Sequence, residues 1–451
     1  MKIALVLLIG FSAFVPMGIS AQDSGFRSIT AGMAYTCVLN AEGKAYCWGN
    51  NDHGQLGNHT TAGSTTPVPV DTMLKFSSLT ASYWTTCGIT KEDGSAYCWG
   101  DNASGQLGTS EPTETCGGTP CATTPKPVSA PLLSTRLKFT KIATERTGTC
   151  GLTDSGDIYC WGDNGNGQLG QGDLQGHPDG VTCANRPCSQ VPIAVKASDK
   201  KDEIKFSSIS KDEGTTCAVA VDGKLFCWGD GQTGKLGNGT TTAAQTRPVQ
   251  VKGKLRFATT ASGAYAVCGV TTGRAVYCWG GNQGEALGTN TPPENCRTSG
   301  LGSFPCSTTP NFVSGLKLRP EEGSLSFAAT TVCGIDPKGR AYCWGAGGNG
   351  QLGDGVTANR RRFLNLSANS PVPVVVSGKE QFREIAVGSS HACGISEEKK
   401  TIYCWGAGFG NAPKALQWGD GASGNTQNTS QPAAGGSVEK TPKVGHGVKW
   451  F

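Results

Sequence analysis

The tripeptide Cys-Trp-Gly occurs seven times, at 47–49, 98–100, 160–162, 227–229, 278–280, 343–345 and 404–406. The copies are spaced 51, 62, 67, 51, 65 and 61 residues apart. Ten or eleven residues ahead of each stands a second cysteine: Cys37, Cys87, Cys150, Cys217, Cys268, Cys333 and Cys393. A full unit reads FSSLTASYWTTCGITKEDGSAYCWGDNASGQLG from 76 to 108. Chance does not produce seven such units. A period of this size marks a supersecondary unit that buries its apolar face only by stacking on its neighbours.

Each unit divides into four short strands. The first begins Phe-x-x-Ile/Leu (26–30, 76–80, 206–210), and the second runs into the first cysteine (36–39). A Gly-bearing turn follows, and the third strand carries aromatic, Cys and Trp in alternation (45–48). The fourth is a Pro-Val segment (68–70, 127–128, 248–251, 371–375), tolerable on an outer edge where a missing N–H breaks no ladder bond. Gly and Pro number 66 and 23 of 451 residues, which leaves little room for long helices. The fold class expected is all-β, a seven-bladed β-propeller of four-stranded blades. A linear solenoid is the competing arrangement. The ending Val-Lys-Trp-Phe at 448–451 imitates the start of a unit at 74–76, so the expectation is a ring closed by overlap of N- and C-terminal strands.

Gly-Gln-Leu-Gly follows Cys-Trp-Gly at 54–57, 105–108, 167–170 and 350–353. With those motifs the chain resembles the regulator-of-chromosome-condensation repeat family, across essentially the whole length after residue 21. The resemblance implies a seven-bladed propeller and a place beside a secreted, disulfide-stapled branch that includes a β-lactamase inhibitory propeller. There are departures. Lys235 replaces Gln, residues 284–288 read as carrying one residue extra, and the seventh unit has only Leu-Gln-Trp-Gly, later, at 416–419. The guanine-nucleotide exchange for which the family is known is expected to be absent, because it belongs to a reduced nuclear compartment.

Twenty cysteines are too many for an ordinary reduced cytosolic chain. In a hairpin turning near Glu42, Cys37 and Cys47 are equidistant from the turn, so their Cβ atoms oppose one another at disulfide range. The same reasoning pairs Cys87–Cys98, Cys150–Cys160, Cys217–Cys227, Cys268–Cys278, Cys333–Cys343 and Cys393–Cys404. Closing each loop removes about 2.8 kcal/mol of denatured-state entropy, less whatever the turn already restricts. Three loop pairs remain, Cys116–Cys121, Cys183–Cys188 and Cys296–Cys306. Zinc is the alternative for these, with His177 near Cys183, but four ligands at zinc spacing are not present. No metal and no cofactor are expected.

Lys2, the apolar run 3–14 and the Ile-Ser-Ala at 19–21 read as a signal peptide over 1–21, with the propeller over 22–451. The apolar run is too short to span a bilayer. The net charge of +5 is thinly spread, so neither nucleic acid nor a membrane surface is indicated as partner. The expected location is secreted, periplasmic or at the cell surface, and the expected state is a monomer.

No nucleophile elbow, metalloprotease helix or Walker loop appears, so an enzyme is not expected. The stretch 163–173 has glycines where a calcium loop needs oxygen ligands. The seven Trp residues read as blade-to-blade packing rather than sugar platforms. Variation concentrates in the third-to-fourth loops, long in units two, three, five and six, which share a face with the first-to-second turns. Those turns hold Tyr35, Tyr83, Trp84, Arg146, Tyr265 and His391, of the residue types that dominate protein-binding surfaces. The function expected is a non-enzymatic scaffold binding an extracellular protein or surface polymer through this face. Nucleotide exchange by family likeness, or a glycan-acting enzyme, are the alternatives.

Overall fold

In the first repeat, Phe26–Ala31 (β1), Tyr35–Asn40 (β2), Ala45–Gly49 (β3) and Ser64–Pro69 (β4) form one antiparallel sheet in chain order. This pattern recurs in a computed structural model that describes residues 25–109, 111, 113–129, 136–173, 182–183, 185–196, 204–298, 302–355, 368–398, 400–406 and 427–432. Seven sheets result, and packing runs from each blade to the next and from the seventh back to the first. The protein is a seven-bladed β-propeller. β2 is buried at every position because it is covered on both faces by neighbouring blades, whereas the Pro-bearing β4 is the partly exposed outer edge.

Register puts the hairpin cysteines face to face, Cys37 opposite Cys47 in the first blade and Cys150 opposite Cys160 in the third. All twenty cysteines are bridged, in the seven hairpin pairs and three loop pairs expected. The loop pairs do more than staple loops. Glu114–Cys116, Thr182–Cys183 and Glu294–Thr298 each pair with the fourth strand of their blade, giving blades two, three and five a fifth strand. The sequence reading assigned four strands throughout. These segments are short and polar, Glu-Thr-Cys, Thr-Cys and Glu-Asn-Cys-Arg-Thr, and only pairing on an existing edge makes them strands.

The blades are locked by one contact repeated around the ring. The Trp99 indole N–H donates to the carbonyl of Gln55 in the preceding blade's Gly-Gln-Leu-Gly turn at 3.0 Å. Trp161 does the same to Gln106, Trp228 to Gln168, Trp279 to Lys235, Trp344 to Ala286 and Trp405 to Gln351, all within 2.8–3.0 Å. The indoles are fully buried, each removing roughly 200 Å² from water, on the order of 5 kcal/mol before entropy. The last glycine of the turn is required here. Gly57 has φ +68°, and a Cβ would lie 2.7 Å from the Trp99 Nε1. The fifth repeat does not carry the extra residue expected: Gly288 lies ten positions after Cys278, as Gly57 does after Cys47. Glu285 takes the place of the first glycine at φ +67° and Ala286 that of the glutamine, and the 3₁₀ turn at Gln283–Glu285 still delivers the Ala286 carbonyl.

The innermost strands line a polar channel of about 480 Å³. Their inward edges would leave N–H groups unpaired, and neighbouring blades satisfy several of them. Thr30 Oγ1 accepts from Ala81 N–H at 2.8 Å and Ser326 Oγ from Val387 N–H at 3.0 Å. At the join of blades seven and one, Glu384 accepts from Ile29 N–H and Ser28 Oγ, and Arg383 donates to the Phe26 carbonyl. Residues 448–451, expected to overlap the first blade, lie outside the described residues, as does the 416–419 turn. Within the described residues each blade is built from consecutive strands, the seventh ending with Gln427–Pro432.

The indole contacts are not equivalent, and stability measurements resolve the difference. Thr149 Oγ1 supports the Gln106 carbonyl as a second donor at 2.9 Å, whereas Val267 occupies the matching place opposite Trp279. Trp279→Phe is expected to cost about 1–3 kcal/mol in denaturant unfolding, since it strands a buried acceptor. Trp161→Phe should cost less. Equal losses would show that the Thr149 hydroxyl does not make up for the missing indole N–H.

Candidate functional site

Five consecutive blades contribute to one groove of about 630 Å³ on the face that carries the first-to-second turns and third-to-fourth loops. Its floor repeats a single sequence position. Asp101, Asp163 and Asp230 each follow Cys-Trp-Gly, at the ends of third strands in blades two, three and four. The Gln of the next turn clamps the first two. Gln106 Nε2 donates to Asp101 Oδ2 and Gln168 Nε2 to Asp163 Oδ2, both at 2.6 Å. Gln106 also reaches the Arg146 carbonyl at 3.0 Å, tying its own blade to the turn of the next. In blade four this role falls to Lys235. Its buried ammonium donates to the carbonyls of Glu213 at 2.9 Å and Ala264 at 3.1 Å, and lies 3.6 Å from Asp230.

Above this floor stands an aromatic and cationic cluster. His53 stacks on Trp84, centroids 4.6 Å apart and planes at 23°, and its Nδ1 is 3.7 Å from Asp101. Burial pushes the Asp101 carboxyl up, against the opposing pull of His53 and of the hydrogen bonds it accepts. The Arg146 guanidinium lies over Trp84, with Cζ 5.5 Å from the ring centroid. Arg186, from the added hairpin of blade three, pairs with Asp163 at 3.2 Å. Tyr265 is exposed at the far side, its carbonyl accepting from Thr233 Oγ1 at 2.9 Å.

Beneath the groove lies a buried charge network. Lys211 and Glu145, both fully enclosed, pair at 2.9 Å, and Glu145 accepts from Gly214 N–H at 2.6 Å. The Tyr83 hydroxyl donates to Glu213. Asp212 lies among these groups, and burial first, then the charges of Glu213 and Glu145, hold its carboxyl well above the ordinary range. Both Tyr83 and Glu213 have positive φ, +45° and +39°, a conformation costing such residues on the order of 1 kcal/mol. Their mutual hydrogen bond holds the turns of blades two and four in it. The network joins three blades below the one groove.

Of the six residues read from sequence, the structure brings Trp84, Arg146 and Tyr265 together in this groove. Tyr83 sits between groove and channel, tied to Glu213. Tyr35 and His391 are corrections. Each heads a second strand and turns inward between blades, where the Tyr35 hydroxyl donates to the Thr85 carbonyl at 2.7 Å and His391 Nε2 meets Thr36 Oγ1 at 3.0 Å. Both are buried, because the first residue after the turn already belongs to the blade interface. Sequence reasoning missed His53, Asp101, Asp163, Asp230, Arg186 and Lys235. The three aspartates were signalled by their place after Cys-Trp-Gly, and Lys235 by its replacement of Gln.

The sequence model of the regulator of chromosome condensation (RCC1) repeat matches residues 42–89, 93–152, 222–270 and 338–395, and a second model of the same repeat matches 26–55, 76–106 and 146–168. The chain belongs to the RCC1 repeat family. It is similar to the ultraviolet-B receptor UVR8 of Arabidopsis thaliana, 25% identical over 427 residues that cover 91% of this chain and 86% of the relative. It also matches the human E3 ubiquitin-protein ligase HERC2 at 25% identity over 81% of the chain, where it spans only 8% of the relative's length. Among solved structures, Prp20p of Saccharomyces cerevisiae superposes with a TM-score of 0.63 at 19% identity, covering 80% of each chain. At that identity the likeness carries the fold and not the ligand.

The buried His391 gives a pH signature. Burial holds its imidazole down at about 4, against 6.5 for a free histidine. Between those values the unfolded chain binds the proton and the folded chain does not, so stability is complete above pH 6.5 and falls as pH drops towards 4. The fall attributable to this group is up to about 3 kcal/mol. His391→Gln should flatten that part of the stability–pH curve. An unchanged slope between pH 6.5 and 4 would show that His391 is not the group responsible.

Proposed function

We propose that this protein is an exported, non-enzymatic scaffold that binds a partner protein through the groove on its loop face. The observation that carries the reading is the groove itself. Trp84, Tyr265, Arg146 and Arg186 converge there from blades two, three and five, and the backbone carbonyls of Arg146 and Tyr265 are tied down by the preceding blades. Tyr, Trp and Arg are the residues in which protein-binding energy concentrates. Stiff turns and a disulfide-bridged hairpin lower the ordering cost of association.

A glycan-acting enzyme fits the site less well. Such chemistry uses a carboxylic acid and a carboxylate free to exchange protons across a sugar. Asp101 and Asp163 are buried and clamped by Gln106 and Gln168, and Asp163 also pairs with Arg186. Export is supported by the sequence of residues 1–21 and by twenty cysteines joined in ten bridges. The same oxidised state argues against guanine-nucleotide exchange inside a nucleus. No helix among the described residues is long and apolar enough to cross a membrane.

The test is quantitative capture from the host's extracellular fraction by the full chain. Trp84→Ala with Tyr265→Ala should weaken recovery of the bound protein at least about tenfold, while Met73→Ala, at a fully exposed position remote from the groove, should leave it unchanged. Equal recovery by all three would move the binding site elsewhere, and turnover of a glycan without protein capture would favour the enzyme. Mass spectrometry of the exported protein should find Gln22 as first residue and no free thiol. Free thiols in most molecules would remove the exported assignment.

A further inference from the structure

We infer that the groove recognises a single carboxylate presented by the partner protein, with the Arg146 guanidinium as its receptor; this rests on the reading of the groove as a partner-binding face. The other cations of the groove are already engaged. Arg186 pairs with Asp163 at 3.2 Å, Lys235 donates to two backbone carbonyls and lies 3.6 Å from Asp230, and His53 lies 3.7 Å from Asp101. Arg146 differs. Among the described residues no carboxylate lies within ion-pair distance of it, and its side chain's partner is the Trp84 ring, 5.5 Å away. The adjacent Glu145 is turned under the groove and committed to Lys211 and the Gly214 N–H.

The arrangement is that of a prepared receptor. The Arg146 backbone is held by Gln106 from the preceding blade, and the side chain is exposed on the groove side. A guanidinium resting on an aromatic ring keeps its N–H donors available, and loses less freedom when they are used than an unsupported one does. A planar carboxylate matches two of those donors at once. The carboxylate belongs to a protein side chain rather than to a polyanion. Asp230 and Glu213 line the same groove, so a sulfated or phosphorylated polymer would set repeated negative charges against them. One carboxylate among neutral and aromatic side chains meets Arg146, Trp84 and Tyr265 without that repulsion.

The experiment uses the full oxidised chain, immobilised, and a phage library of disulfide-closed random heptapeptides. Selection on the wild type should enrich sequences with Asp or Glu at a fixed position, and selection on Arg146→Gln should lose that preference. A peptide enriched on the wild type should bind Arg146→Gln about tenfold to a hundredfold more weakly, with Arg146→Lys between the two because it keeps the charge without the fork. Melting temperatures of the variants establish that each is folded, as an exposed substitution should leave it. Enriched peptides with no acidic preference, or an acidic preference that survives Arg146→Gln, would overturn the carboxylate inference and leave the groove reading standing. No enrichment on any variant would overturn both. Retention on heparin that disappears in Arg146→Gln would overturn the inference in favour of a polyanion.

Discussion

The hydrogen bond from the strand-three indole of blades two to seven to a carbonyl in the preceding blade is the constraint on which the ring depends. A four-stranded sheet of this size has two apolar faces and no way to bury either alone. The tryptophan solves both halves of that problem. Its ring fills the space between blades, and its N–H satisfies a buried backbone carbonyl of the preceding turn, sharing it with a threonine hydroxyl at Gln55 and Gln106 and with no second donor among the described residues at Lys235. The turn must then approach the ring closely, which explains why it ends in a glycine of positive φ. Disulfides act inside blades and indoles act between them. The two devices are independent, so neither substitutes for the other.

A ring stabilised in that way can vary its loops. The additional hairpins of blades two, three and five extend the face that carries the groove, and the Gln and Lys side chains of the Gly-x-Leu-Gly turns hold the neighbouring first turns in place. Lys235 shows how a departure from the repeat is put to use. Where Gln106 has one amide to share between an aspartate and one carbonyl, the ammonium reaches two carbonyls from adjacent blades and faces an aspartate as well. Beneath it, Glu145, Lys211, Asp212, Glu213 and Tyr83 join three turns through charge and hydrogen bonds. The groove is therefore rigid at its base and variable at its rim.

Most of the architecture was legible because it is written seven times. The number of blades, the strand order, the outer position of the Pro-Val strand and the hairpin disulfides all follow from spacing and alternation, which are local properties of the chain. The fifth strands were not legible. Glu114–Cys116 has no strand-like alternation, and it is extended only because an edge is there to pair with. Of the residues that residue type and turn position single out, Trp84, Arg146 and Tyr265 share one groove. Tyr35 and His391, selected by the same rule, are interior, since a shift of one residue along a twisted strand exchanges the solvent for the neighbouring blade.

What the sequence by itself determined is the set of interactions made within one repeat: each hairpin, its disulfide, its turn glycines and the tryptophan that needs a neighbour. These are contacts between residues a few positions apart, and the period records them. What only the tertiary structure decided is which residues of different repeats meet. His53 of the first blade stacks on Trp84 of the second, Arg146 of the third lies over the same ring, and Tyr83 bonds to Glu213 some 130 residues away. Nothing in the local pattern encodes those distances. They arise when the ring closes, because closure brings the turns of successive blades onto one face around one axis.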